Sequence, residues 1–468
     1  MKETAEKKTG VTGRMWFILI LIGLAGQFAW SIENMYLNTY ITYLNFNAPN
    51  GQGFDFNLMI ALTTALSAIV ATLTTLFMGA YIDKVRKRKL FISIGYIMWG
   101  IATACFGILN VDSDKSFLKL NVPPKTAAIL VIVIDCIMTF FGSTSNDAGF
   151  NSFVTKNVSK NDKSKVEGVL SVLPLISMLI IFVGLNGLTT DSMDNRWDLF
   201  FYIVGGIVLL VGIISLFLLP KEKKEERSKE PFLPSLIYGF RKTTISKNPK
   251  LYLVLLIYFV FAVSQQIFFP YLMVYIERSC DIKNSGDGLL TPFAIVMAIA
   301  LLVGSLLSVL IGFLADKKGK EKMIVPTLAI FFIGTLSMMF IPFIENDILR
   351  LVYCIITTLL MILGFVSVPT IINAMVREYI PEGKEGEYMG VRMIFVVALP
   401  MCIGPFIGSA LNKAFGQIYT GAYGVKDNLP SHWGYLISAL VLLLAIIPYL
   451  LLRKEMKKDE RKRPEESR

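Results

Sequence analysis

The chain has 468 residues, 54% of them hydrophobic and only 17% charged, with a mean hydropathy of +0.59 and a formal net charge of +11. A soluble protein carries about 25% charged residues, so the apolar excess speaks against a water-soluble enzyme. Positive charge spread along short connecting segments, with no basic soluble module, speaks against a nucleic-acid-binding protein.

The apolar residues gather into twelve blocks, at roughly 15–43, 56–80, 90–109, 126–154, 166–188, 197–219, 251–276, 289–315, 323–343, 351–376, 387–412 and 433–452. A bilayer core takes about 20 apolar residues as helix, and helix is required because an open sheet leaves backbone groups unpaired in lipid. The expected fold is an all-α membrane protein of twelve transmembrane helices. The start MKETAEKKTGVTGR runs into a first block too long for a signal-peptide core and reads as a retained anchor. Twelve spans put both termini on one side. That side holds 36 of the 46 Lys and Arg residues and the opposite loops hold 9, which makes the termini cytoplasmic at the cell (inner) membrane by the positive-inside rule.

Span one carries Gln27, Ser31, Asn34 and Asn38. At 100° per residue their spacing of 4, 3 and 4 keeps them within about 60° of one another. Amides both donate and accept, so such a stripe suits a solute rich in hydroxyls; bonding between helices is the alternative use. Glu33 is expected about 120° away, on the face of Ala29, Tyr36 and Tyr40. A carboxylate among apolar spans is costly and usually functional, which makes Glu33 the leading candidate for a coupling proton. A bond to a tyrosine, or a side chain reaching the interface, is the plainer reading.

Span four adds Asp135, alone among apolar neighbours, and Asp147, which shares a face with Ser143 and Asn151. Both are further proton candidates; helix pairing and a polar helix end are the alternatives. Residues 219–250 form the longest and most charged loop, dividing an N-terminal half (1–219), a linker (220–250) and a C-terminal half (251–468). Within the linker, FLPSLIYGF has the pattern of a short piece lying on the membrane surface. Span seven brings Gln265, Gln266, Pro270, Tyr271 and Tyr275; the amides and aromatic rings suit a sugar, or else simply pack. Span ten offers Thr357, Thr358, Ser367 and Asn373, with Gly364 for close approach. Gly404, Pro405, Gly408 and Ser409 of span eleven read as packing and hinge residues. His432 reads as interfacial. Four of the five cysteines lie in spans, and no His/Cys cluster points to a metal; nothing calls for a cofactor.

The halves repeat each other in parallel. Gly79 and Asp83 after span two match Gly312 and Asp316 after span eight, and Asn151 and Gly168 match Asn373 and Gly390. Such internal repeats are common in secondary transporters. The loop pattern resembles the signature of the major facilitator superfamily. Gly312, Asp316, Lys317, Gly319 and Lys320 all fit; the first copy departs, with Arg86 in place of the second glycine. A non-glycine disfavours a left-handed turn, so that loop is expected to be shaped differently. The polar first span, RKRKLFISIG after Asp83 and FFPYLMVYIE in span seven resemble the glycoside–pentoside–hexuronide cation symporters and the related sucrose/proton symporters. Their longer basic loop element is missing, and span two has no carboxylate pair to bind sodium.

The resemblance implies two six-helix halves around a central cavity lined by spans one, four, seven and ten. It implies a secondary transporter, for a sugar or glycoside, working by alternating access as a monomer in the lipid bilayer, with the proton favoured over sodium. Gly79, Asp83, Arg86, Gly312, Asp316 and Lys317 would form the cytoplasmic gate. An exporter of amphipathic compounds or a lipid carrier of the same superfamily is the second reading, a non-transporting sensor the third. A membrane enzyme fits poorly: there is no Walker loop, no GxSxG and no HExxH.

Overall fold

A computed structural model gives the structure and describes residues 11–49, 51–109, 122–158, 162–189, 195–220, 239–282, 291–380 and 385–466. Eleven helices among the described residues are long and apolar enough to cross a membrane: Gly13–Phe46, Phe56–Ile82, Arg88–Ile108, Pro124–Asn157, Trp197–Leu218, Pro249–Ser279, Pro292–Lys318, Lys320–Phe343, Asp347–Tyr379, Gly390–Phe415 and Trp433–Lys458. The helix Lys163–Gly184 takes the fifth place and contains the shorter apolar stretch Gly168–Gly184. These are spans one to twelve in chain order. Most begin or end a few residues outside their apolar block, because a helix stops at its caps and not at the lipid boundary. Asp55, Thr291 and Asn346 open spans two, eight and ten by accepting from the backbone N–H three residues on, at 2.9, 3.1 and 3.0 Å, which satisfies donors the helix cannot. Most of the linker, including nearly all of FLPSLIYGF, lies outside the described residues.

Small residues let the spans touch. A Cβ on Gly100 of span three would stand 2.5 Å from the Gly205 carbonyl of span six, and one on Gly334 of span nine 2.4 Å from the Met361 nitrogen of span ten. Lipid provides no hydrophobic drive between helices, so this close backbone packing holds them together. Gly404 and Gly408 do the same between spans eleven and seven.

Four spans depart from regular helix, through wide turns with one extra residue: Ile32–Tyr36 in span one, Ser143–Phe150 in span four, Tyr275–Ser279 in span seven and Ile394–Ala398 in span eleven. Such turns are frequent at functional sites. Span seven also tightens at Phe269–Tyr271 around Pro270, where a backbone donor is missing.

The mouth away from the termini is shut. Asn57 of span two donates to the Asn428 carbonyl at 2.8 Å and accepts from Asn412 of span eleven at 2.9 Å. Tyr271 Oη donates between the Asn57 and Pro405 carbonyls, at 3.1 and 2.8 Å. A small hairpin that hydropathy did not foretell, β1 (Ile418–Thr420) paired with β2 (Lys426–Asn428), lies over this closure. Asp427 on β2 accepts from Asn45 at 3.1 Å and from the Phe56 nitrogen at 3.3 Å. The Arg278 guanidinium sits over the rings of Phe46 and Tyr419, about 5 Å from each.

The repeated loops follow span two and span eight on the terminal side. Arg86 takes the left-handed conformation after all, with φ 57° and ψ 35°, as the residue that ends span two. A non-glycine thus does enter the left-handed region here, the helix ending through a hydrogen bond from the Arg86 nitrogen to the Ile82 carbonyl at 2.7 Å, and the two loops are shaped differently as expected, with ψ 35° at Arg86 against 128° at Gly319. In the second copy Gly319 holds a positive φ of 97°. Asp316 is exposed, with no ion pair to a described residue, as are Lys317 and Lys318. The side chain of Asp83 lies outside the described residues.

Candidate functional site

Two adjoining chambers run into the protein from the terminal side. The wider, about 470 Å³, is lined by Gln27, Trp30, Asn146, Asp147, Asn151 and Arg377. The second, about 320 Å³, shares Trp30, Asp147 and Asn151 and adds Glu33, Asn34, Thr75, Arg392 and an apolar wall of Met393, Val396, Val397 and Met401. Beyond it the space pinches to a cleft between Glu33, Asn38, Ser67, Asp135 and Gln266. The wide turns of spans one, four and eleven carry Glu33 and Asn34, Asn146 and Asp147, and Val396 and Val397 onto these walls.

Glu33 is the most tightly held group. Its Oε1 accepts from Ser67 Oγ of span two at 2.5 Å, and Ser67 in turn bonds Thr139 Oγ1 of span four at 2.8 Å. The second oxygen, Oε2, is buried without a partner, as are both carboxylate oxygens of Asp135, one turn before Thr139. Glu33 projects about 120° from the polar stripe on a regular helix. It shares the chamber with Asn34 and the cleft with Asn38 instead, because the wide turn at 32–36 shifts the register on which the 100° projection depends. Tyr36 and Tyr40 do point away, against Phe182, Phe200 and Trp197 of spans five and six.

The stripe itself divides. Gln27 lines the wide chamber, Asn34 the inner chamber and Asn38 the cleft. Ser31 does not: it donates back to the Gln27 carbonyl at 2.8 Å and meets Ser177 of span five at 3.2 Å. The Asn34 and Asn38 amide groups donate to the carbonyls of Trp30 and Asn34, four residues back, which leaves one buried acceptor, Asn38 Oδ1, unpaired. Of span seven, Gln266 lines the cleft with Oε1 unpaired, Gln265 lines none of these spaces, and Tyr271 ties the closed mouth. Asp147 lines both chambers, beside Asn146 at 3.5 Å. His432 packs at the head of span twelve against Phe343 and Trp433, with ring centroids 5.1 and 5.4 Å away.

Two arginines on these walls had no place among the sequence candidates. Arg377 closes span ten and Arg392 precedes the wide turn of span eleven. Arg392 carried a signal, being the one basic residue inside an apolar block. Trp30, in both chambers and edge-on to Trp99 at 5.0 Å, carried none beyond being aromatic.

The arrangement is a polar, charged cavity open at one end and sealed at the other by contacts between the halves, and solved structures share its fold. The nucleoside transporter NupG superposes with a TM-score of 0.65 at 11% identity, over 94% of this chain and 98% of that one. A bacterial homolog of the human lysosomal transporter Spinster, inward-facing and unoccupied, gives 0.64 at 14% identity over 96% and 99%. The xylose transporter XylE from E. coli, in a partially occluded inward-open conformation, gives 0.62 at 13% identity over 94% and 98%. No curated protein matches the sequence. Residues 15–405 match the family description Major Facilitator Superfamily, and with the twelve-helix fold in two six-helix halves this settles the class: the chain belongs to the Major Facilitator Superfamily, a multi-pass membrane transporter and not an enzyme.

Proposed function

We propose that the protein is a monomeric, proton-coupled symporter for a small polar solute of the sugar or glycoside class, working by alternating access across the cell membrane with both termini in the cytoplasm. The observation that carries this reading is Glu33. It is buried between Ser67 and Thr139 at the junction of chamber and cleft, beside the amides of Asn34 and Asn38. A carboxylate at that point reports its charge to a bound solute over a short, poorly screened distance. Asn34, Asn38, Gln266 and Trp30 offer hydrogen bonds and an aromatic face to a hydroxyl-bearing ring.

In the conformation described the cavity opens on the terminal side, cytoplasmic by the distribution of Lys and Arg. The opposite mouth opens when Asn57, Tyr271 and Asn412 release one another and the repeated loops draw together, Asp83 and Asp316 latching the cytoplasmic side. Asp147 and Asp135 are the alternative proton carriers. The span-two contribution at Glu33 is a hydroxyl and not a carboxylate, which supports the proton over sodium. The apolar wall of Met393, Val396, Val397 and Met401 favours the second reading, an exporter of amphipathic compounds or a lipid carrier. Uptake into proteoliposomes decides between them. Accumulation of a sugar or glycoside driven by an inward proton gradient supports symport, whereas gradient-driven extrusion of amphipathic dyes without sugar uptake supports the exporter.

A further inference from the structure

The charges of the cavity are divided between the halves. The acidic groups, Glu33 and Asp147, belong to spans one and four; the basic groups, Arg377 and Arg392, belong to spans ten and eleven. Arg392 is half-buried, faces the inner chamber and makes no hydrogen bond or ion pair with any described residue. Neither Asp147 nor Glu33, on the facing wall, comes within ion-pair distance of it. Arg377 and Arg392 feel each other's charge, and a second arginine cannot act as the partner of the first.

A guanidinium turned into a cavity near the terminal-side end of a span, and half-buried there, gives up part of its hydration and gains from a partner. A long side chain could escape by reaching back to the interface, yet this one turns inward, next to the wide turn Ile394–Ala398. Its planar fork is built to grip a carboxylate or phosphate through two parallel hydrogen bonds. Across the chamber stand Trp30 and Asn34, which suit the uncharged remainder of a solute.

We infer that the transported solute carries an anionic group, a carboxylate or a phosphate, which docks on Arg392 of the C-terminal half while its uncharged part rests on Trp30 and Asn34 of the N-terminal half. This rests on the polar-solute reading above and sharpens it. It makes Arg392 the residue that decides between charged and neutral solutes. It also gives the bound solute a mechanical role, since a ligand touching both halves favours the closed state in which the halves meet around it.

The test uses the purified full-length protein and matched probes: glucose, glucuronate and glucose phosphate, with uridine and uridine monophosphate as a second scaffold. Binding is read by thermal shift and uptake in proteoliposomes. At least one anionic member should bind about tenfold or more tightly than its neutral partner, the usual discrimination of a paired charge. The uronate and phosphate arms show which anion is accepted. Arg392→Gln should remove that preference and Arg392→Lys keep part of it, with unliganded melting temperatures and elution profiles confirming that both variants fold. A neutral member binding as tightly as its acid overturns the inference while leaving the polar-solute transporter intact. Unchanged anion binding in a folded Arg392→Gln does the same. Failure of every member to bind or enter counts against both.

Discussion

Ser67 holds Glu33: its hydroxyl donates to the carboxylate at 2.5 Å and joins span one to span two, and through Thr139 to span four. On the proposed coupling, a proton arriving at or leaving Glu33 would act on three helices of one half together. Glu33→Gln keeps the shape and an acceptor for Ser67 but cannot change charge. With one proton per solute, a gradient of one pH unit can drive about tenfold accumulation. The variant should bring that ratio to about one while solute exchange across the membrane continues. Asp147→Asn, facing the open chamber, should be milder. Accumulation surviving in Glu33→Gln would move the coupling site to Asp147 or Asp135.

Tyr271 seals the far mouth by donating to carbonyls on spans two and eleven. Tyr271→Phe removes both bonds and no ring area. One hydroxyl proton is shared between the two carbonyls and only the Asn57 contact joins the halves, so at about 0.5–1.5 kcal/mol for a hydrogen bond the closed mouth should lose roughly 1 kcal/mol, enough to shift the population several-fold. Val425, in the loop joining the hairpin strands, is buried against Gly53, so a cysteine there reports opening. Val425→Cys should react faster with an impermeant maleimide when Tyr271→Phe is added. An unchanged rate would show that the mouth is held elsewhere.

Gly312, in the last turns of span eight before the second repeated loop, has open space where a Cβ would stand, and its counterpart Gly79 in span two meets only Ala148 at 4.0 Å. Neither glycine is needed for packing in the conformation described. If the loops approach closely when the terminal side closes, Gly312→Leu should leave folding unchanged, slow transport about tenfold or more, and lower labelling at Val425→Cys. Asp316→Ala should likewise alter the balance of the two states more than solute affinity. Normal transport in Gly312→Leu would show that the loops never come close there.

The span pattern was legible because lipid imposes one rule, twenty apolar residues with satisfied backbone, that composition alone reveals. The repeated glycines and aspartates were legible because they recur at matching places in both halves. Which wall a side chain faces was not. Each extra residue in a wide turn rotates the rest of the helix beyond it, so Glu33 joined Asn34 and Asn38; Ser31, which precedes the turn, is taken up by Ser177 of span five, a partner with no spacing to reveal it. The partners of Glu33, Ser67 and Thr139, come from two other spans and have no spacing to betray them. Tyr271 was read for its ring, but its hydroxyl is what the far mouth uses. Arg392 stood out as a charge in an apolar block; that it lacks a partner is a property of the packed molecule only.

Asp427, on the hairpin and outside the spans, should make the far mouth sensitive to pH. Burial pushes its carboxyl above the usual value, against the opposing pull of the backbone N–H groups of Asn428 and Phe56 and the Asn45 amide; the nearby charge of Asp55 adds to the rise. When the mouth opens, the same group meets water and returns towards the ordinary carboxylate value, about 3.9. The closed mouth thus binds a proton more tightly than the open one, and by linkage acidification favours closure. Above the raised value Asp427 is ionised in both states, and its desolvation opposes closing. As pH falls through that value the opposition is relieved, until below the ordinary value both states are protonated and the balance stops changing. Labelling at Val425→Cys, corrected for thiol reactivity with a fully exposed cysteine, should slow as external pH drops through this window. Asp427→Asn should remove the slope, because its charge no longer varies. Labelling that quickens on acidification, or a slope that persists in Asp427→Asn, would place the pH response of the mouth in another group.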